Sequence, residues 1–513
     1  MTIVPEPHLI LAPEVEKLWE SRLYAVLTMI EVAQARTGAA SDGLEATDLL
    51  DLHTKRLVWL IEILERLKVF ANAHFGYLAG KIRDQGLRAP TRDELSAHRR
   101  QRRSNVVGMS SAAPPAHVPM ANLILDNILN RVATDLFLIE TAVNQRVATL
   151  ATTPAGTPAY ALPANAESFY TTSTPTQRLE LMSHWQASAD ILAMGALAML
   201  SEKLYVVQKS AVITYTDPGA SARILPYAPI ALVGVPATSL YRPRDLLAIP
   251  HEVGHYFFWN GMTSSGNTIE ATANQALANN PLLHWAEEVF ADVVGCLVGG
   301  PAAAESLLDM LWSQVGSRFT QDDGEHPVPA VRPDIYLRLL ERGDLWADTA
   351  DDMAAAAVAL RAEWQRRLRL ILDDEADSTS IVLGDVLMTL GELRTALNAL
   401  VDGLLETIPS DSPVRGKGGP AKQQMRWSHA RSTPQKQFET DLPTLVATLD
   451  QQLAVYAKDP DLTSPYNYEL QVARDLFDEN LSWTATIKEP ANWLRLVEYR
   501  GWSTFGPVGK PHD

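Results

Sequence analysis

Cysteine is nearly missing from this chain: Cys296 is the only one in 513 residues. One thiol excludes any disulfide within the chain. Cys296 stands in the apolar run "VVGCLVGG" and reads as packing rather than as a nucleophile. Long hydrophobic runs are missing too. The longest, "ILAMGALAML", is about ten residues, roughly half of a membrane span. The stretch "MTIVPEPHLILAPEVEKLW" lacks a basic segment and has acidic residues and three prolines where a secretory signal would be apolar. The expectation is a soluble, cytoplasmic protein with no membrane span.

Positive charge is in short supply. Lysine and arginine number 44 against 61 acidic residues, a net charge of −17. Such a surface repels nucleic acid and anionic membrane, so neither is an expected partner. The cluster "RRQRR" at residues 99–103 then reads as a solvated loop or helix end. A phosphate-binding glycine loop is absent as well, since "GKGGP" has no flanking strand and helix.

What is present is the composition of an ordinary globular protein, 46% apolar and 20% charged. Three regions follow from the texture of the chain. Residues 1–160 form an N-terminal helical domain: "LLDLHTKRLVWLIEILERLKVF" spaces its apolar residues by three and four, and a second such pattern runs from Met120 to Leu150. "ATTPAGTPAYALPAN" ends it with a Pro- and Gly-bearing boundary. Residues 161–345 form the central core. There a helix at 176–204 gives way to the β-branched runs "YVVQKSAVITYT" and "RILPYAPIALVGVPATSL", with "DPGAS" as a turn signal. Pro229 and Pro236 point to an edge strand, because proline donates nothing to the ladder. Residues 346–513 form a C-terminal helical region, with long helices expected from Thr349 to Leu372 and from Ile381 to Thr407, and a mobile basic linker at about 409–437. The fold class expected is α+β, mostly helical.

Chemistry concentrates in "LLAIPHEVGHYFFWNG". On a helix, His251 and His255 share a face and can present both imidazoles to one metal ion, with Glu252 beside it to accept a proton from an activated water. Pro243 marks a helix start and Gly261 its end. Pro250 removes a backbone bond, so the helix is expected to kink or restart just before His251. Gly254 implies close packing against another element. A third ligand is still needed. "HWAEEVFADVVG" supplies it: Glu288 and Asp292 share a helix face, Glu288 to bind the metal and Asp292 to accept the N–H of a ligand histidine. Glu287 lies off that face and ranks below Glu288.

"HEVGH" followed by "EEVFADVVG" resembles the gluzincin class of zinc metallopeptidases, and is most similar to its HtpX-like and CAAX-prenyl-protease-like branch and to small soluble gluzincins. The later "GEHPVPAVRPDIYLRLL" matches the H-P…R segment that those proteins often carry. The resemblance spans roughly residues 228–342. It implies a zincin-like core, a small sheet with an edge strand plus metal-binding helices, flanked by helical regions. It further implies one Zn2+ per chain on His251, His255 and Glu288, with Glu252 as general base and Asp292 behind a histidine. His326 and Arg332 would steady the oxyanion or shape the cleft. A peptide or protein would be the substrate, paired with the edge strand. The helical flanks, which carry no chemistry, suit a protein partner. They also leave open a non-catalytic helical scaffold whose HExxH site is structural or accidental.

Overall fold

A computed structural model of the chain describes residues 13–41, part of 56–71, 121–150, most of 169–201, 211–225, most of 230–313 and 319–408, residue 427, and 433–456. The "RRQRR" cluster, nearly all of the expected linker at 409–437 and the aromatic tail lie outside the described residues. The protein is α+β and mostly helical, with small sheets. It divides into two compact units.

The first unit contains Met1–Val147, Ile224–Pro229 and Tyr466–Asp513. Its described part is helical: α1 (Pro13–Ser41), helical positions within 56–71, and most of α2 (Ala121–Leu150). Ile30, Leu60, Ile63, Val132 and Ile139 are wholly buried. Gln34 donates to Glu65 at 2.8 Å and Arg36 to Asn144 at 2.9 Å, tying the helices along their polar margins.

The second unit, Ala148–Arg223 and Ile230–Pro465, carries every candidate site residue named above. Helix α3 (Pro175–Ser201) leads into β1 (Ala211–Asp217), β2 (Ser221–Ile224) and β3 (Ile230–Pro236). Strands β1 and β3 pair in parallel from Ala211↔Ile230 to Asp217↔Pro236. Asp190 of α3 fastens helix to sheet, accepting from both the backbone N–H of Thr214 (2.9 Å) and its hydroxyl (2.7 Å). The order is β1-β3-β2, so the strand expected at an edge is the central one. The prolines do not prevent this. Pro229 precedes the first residue of β3 and Pro236 is its last, so the donors between them remain free for the ladder.

A 3-10 turn at Pro243–Ala248 follows, and α4 (Ile249–Asn260) starts afresh with Pro250 in its first turn, where no intrahelical donor is lost. Helix α5 (Ile269–Ala276) is capped by Thr268, whose hydroxyl accepts from Ala271 N–H at 3.1 Å. The long α6 (Ala286–Ser313) bends at Gly300, whose φ of 60° and ψ of −147° suit only glycine, followed by Pro301. The segment Leu283–Trp312 is long and apolar enough to cross a membrane, yet 78% of its apolar window is buried inside the protein.

Helices α7 (Arg332–Leu340), α8 (Ala350–Leu372), α9 (Leu390–Thr407) and α10 (Pro434–Tyr456) complete the unit. The helices after residue 345 therefore belong with the core rather than apart from it. The helix expected from Ile381 begins nine residues late. Ser380–Leu383 and Val386–Thr389 instead form an antiparallel hairpin, β4 and β5, in the register Ser380↔Thr389. The β-branched Ile381 and Val382 and the turn-type Gly384-Asp385 favour it. Thr389 and Glu392 then close a capping box that starts α9.

Candidate metal centre

Helices α4 and α6 are pressed together by a glycine at each end of their contact. A Cβ on Gly254 would lie 2.7 Å from the Ala291 Cα, and one on Gly295 would lie 2.7 Å from the Tyr336 hydroxyl and 3.5 Å from the His251 Cβ. Behind this contact Phe257 stacks on Phe290, ring centroids 6.2 Å apart, and Phe258 tilts against the same ring at 5.5 Å. Such aromatic pairs contribute about 0.5–1.5 kcal/mol each beyond the area they bury. The site therefore stands on a rigid seam.

The helices pass each other in opposite directions, so His251 meets Asp292 and His255 meets the start of α6. The His251 Nδ1 lies 2.9 Å from Asp292 Oδ1, and the His255 Nδ1 lies 3.1 Å from Glu287 Oε1. A carboxylate beside Nδ1 favours a proton there, and so turns the Nε2 of each ring toward the other. Those two Nε2 atoms face each other at 3.2 Å. Glu288 straddles them, Oε2 at 3.6 Å from the His251 Nε2 and Oε1 at 3.6 Å from the His255 Nε2.

His251, His255 and Glu288 could hold a metal ion, with one ligand atom from each all lying within 4.8 Å of one another. The spacing fits the donor set. Two nitrogens bound at about 2.0–2.1 Å to one tetrahedral ion stand about 3.3 Å apart. The charges fit as well. Four acidic side chains, Glu252, Glu287, Glu288 and Asp292, gather around the two rings, with the Arg332 guanidinium against Glu288 and Asp292. A metal ion between the rings would offset that negative charge and could take the place of a proton on the histidines.

Arg332 is held inside the cluster rather than in an open cleft. Its Nε donates to Asp292 at 2.7 Å, and its Nη2 to Asp292 at 3.0 Å and to Glu288 at 3.2 Å. Tyr336 adds a hydroxyl donor to Asp292 at 3.3 Å. Burial pushes the Asp292 carboxyl up, but Arg332 and His251 outweigh it and hold the group well below the ordinary aspartate value. Burial likewise raises Glu288, and His255 and Arg332 bring it below the ordinary glutamate value.

His326 arrives from a loop that α6 and α8 pin in place. Ala330 N–H bonds Phe319 O at 3.1 Å, Trp364 donates to Ala330 O at 3.2 Å, and Trp285 donates to Asp322 at 3.3 Å. Asp323 holds His326 twice, through its backbone N–H at 2.7 Å and its Nδ1 at 2.9 Å. The hydrogen bond to Asp323 raises the His326 pKa. The ring is 46% exposed and its Nε2 lies 3.5 Å from Glu288 Oε1, so it borders the cluster on the solvent side. Glu252 is buried and feels the charges of both histidines, Glu288 and Arg332; its burial raises its pKa.

No protein-family model matches the chain, and no curated protein or solved structure does either. The geometry stands alone.

All seven residues expected to serve the site, His251, Glu252, His255, Glu288, Asp292, His326 and Arg332, come together around one point. Glu287, ranked below Glu288 as a ligand, joins them through His255, and Asp323, which the sequence did not single out, joins them through His326. Asp323 had a readable signal, an acid three residues before a histidine in a loop. Tyr336 had none, because it reaches Asp292 only through the packing of α7 on α6.

Proposed function

We propose that this chain is a zinc-dependent metallopeptidase with a zincin-like core, in which His251, His255 and Glu288 hold one zinc ion and Glu252 is the general base. The observation that carries this reading is the pair of Nε2 atoms 3.2 Å apart, each ring fixed from behind by a carboxylate and both straddled by Glu288. An ion bound there would supply Lewis acidity toward a carbonyl oxygen and would lower the pKa of a bound water to near 7.

The chain's own groups do the rest. Glu252 follows His251 directly in α4, and burial keeps its carboxylate more basic than an exposed glutamate. It takes the proton from the attacking water and delivers it to the leaving amine. His326, made more basic by Asp323, presents Nε2 on the exposed side of Glu288 and can donate to a developing oxyanion. Arg332 and Tyr336 hold Asp292 and Glu288 in register and act as positioning residues.

The substrate class that suits this chemistry is a peptide or protein entering past His326, in the cytoplasm. Because β3 is flanked on both sides, strand addition would fall to β1 or β2 rather than to β3. The test is hydrolysis of a peptide library by wild type and Glu252→Gln. Retained metal with lost hydrolysis in the variant supports the reading. Hydrolysis at the wild-type rate in Glu252→Gln removes Glu252 as the base. A metal-loaded wild type that cleaves nothing points instead to the scaffold reading.

A further inference from the structure

We propose that Glu287 is a positioning residue for His255, and that it sets the affinity of the metal centre as strongly as Asp292 does from the other side. The inference rests on the metal reading above and deepens it, stating what the Glu287 contact does for metal affinity.

The geometry is specific. Glu287 Oε1 lies 3.1 Å from the His255 Nδ1, on the side of the ring away from the Nε2 that faces His251. Both side chains are nearly buried, at 7% and 12% exposure, so water competes weakly for the contact. His251 has the equivalent partner in Asp292 at 2.9 Å. Each histidine thus has a carboxylate on Nδ1 and turns its Nε2 toward the common point. A carboxylate in that place fixes the tautomer and the ring angle and makes Nε2 a better donor. Loss of such a partner commonly lowers metal affinity 10- to 100-fold.

A plainer role competes with this one. Glu287 lies in the first turn of α6, where any acid is favoured by the exposed backbone N–H groups. The two roles respond differently to substitution. Glu287→Asp keeps the negative charge at the helix start but draws the oxygen back by one methylene. Glu287→Gln loses the charge but keeps an acceptor oxygen at the right reach. A helix-start role tolerates Asp and suffers from Gln; a positioning role does the reverse.

The experiment is competition for zinc between a chromogenic chelator and the full-length protein, for wild type, Glu287→Asp, Glu287→Gln and Glu287→Ala. Circular dichroism accompanies each to verify folding. The expected result is a 10- to 100-fold weaker affinity in Asp and Ala and a smaller loss in Gln. Asp at wild-type affinity overturns the proposal, as do equal losses in Gln and Ala with Asp unchanged. Should Ala fail to fold, the Asp and Gln pair decides alone. A wild type that binds no zinc sinks the metal reading itself. Zinc bound by wild type and equally by Glu287→Asp sinks only the role of Glu287.

Discussion

The Nε2 atoms of His251 and His255 face each other at 3.2 Å, a separation that one shared proton or one metal ion can bridge. Helix periodicity puts the two residues on one face, but the opposed orientation of the rings comes from behind, from Asp292 and Glu287. Metal binding should therefore stabilise the fold. A ligand at a hundred times its Kd adds about 2.7 kcal/mol, which moves the Tm of a unit this size by about 4 °C. Thermal scans with zinc and after chelation measure this. An unchanged Tm would mean that no ion enters the cluster.

Arg332 is the cation that permits Asp292 to be buried with its charge. Arg332→Met leaves that carboxylate facing Tyr336 and His251 only, and breaking one side of a buried pair costs about 3–5 kcal/mol. Denaturant titration should show this loss. The double variant Arg332→Met/Asp292→Leu should recover part of it, because the Asp292 charge leaves with its partner and only the Glu288 contact of Arg332 stays broken. A single variant within 1 kcal/mol (roughly) of wild type would show that the pair contributes little.

The pH dependence of the metal-free protein has a definite sign. Burial lowers the His255 pKa, but Glu288 and Glu287 more than offset it and raise it to about 10. A raised folded pKa gives stability that is complete below the unfolded value near 6.5 and fades as pH rises toward 10. Asp292 works in the opposite sense: its carboxyl is depressed, so its contribution is complete above the ordinary value of 3.8 and fades as pH falls below it. The Tm of chelated protein should fall between pH 7 and pH 10. The fall should shrink with zinc present, because a ligated imidazole needs no proton. Identical profiles with and without zinc would contradict His255 as a ligand.

Gly254→Ala tests the seam under the site. Its Cβ would come within 2.7 Å of backbone at Ala291, where no side-chain rotation relieves the clash. Separation of α4 from α6 should cost about 1–3 kcal/mol and weaken metal binding together. Stability lost with metal affinity unchanged would show that the ligands adjust independently of the helix contact.

Much of this site was legible in the sequence because it depends on spacing within single helices. His251 with His255, and Glu288 with Asp292, share faces by the arithmetic of 3.6 residues per turn. Pro250 announced the restart of α4, and Gly254 its close neighbour. Glu287 was harder. It sits off the Glu288 and Asp292 face and becomes useful only because α4 crosses α6 in the opposite sense, which brings His255 to the first turn of α6. Neither helix encodes that crossing alone. The central place of β3 was hidden for a similar reason: prolines at the two ends of a strand look the same in sequence as prolines that bar it from the middle of a sheet. At Ile381–Thr389 a period-two hairpin ran straight into an amphipathic helix, and the apolar residues joined into one apparent pattern.

Metal stoichiometry on purified wild type and His255→Ala, measured by elemental mass spectrometry, decides whether the cluster is a metal centre. About one zinc ion per chain in wild type, lost in His255→Ala, is the result expected of two histidines and one glutamate. No metal in wild type after incubation with zinc, or the same content in the variant, would contradict it.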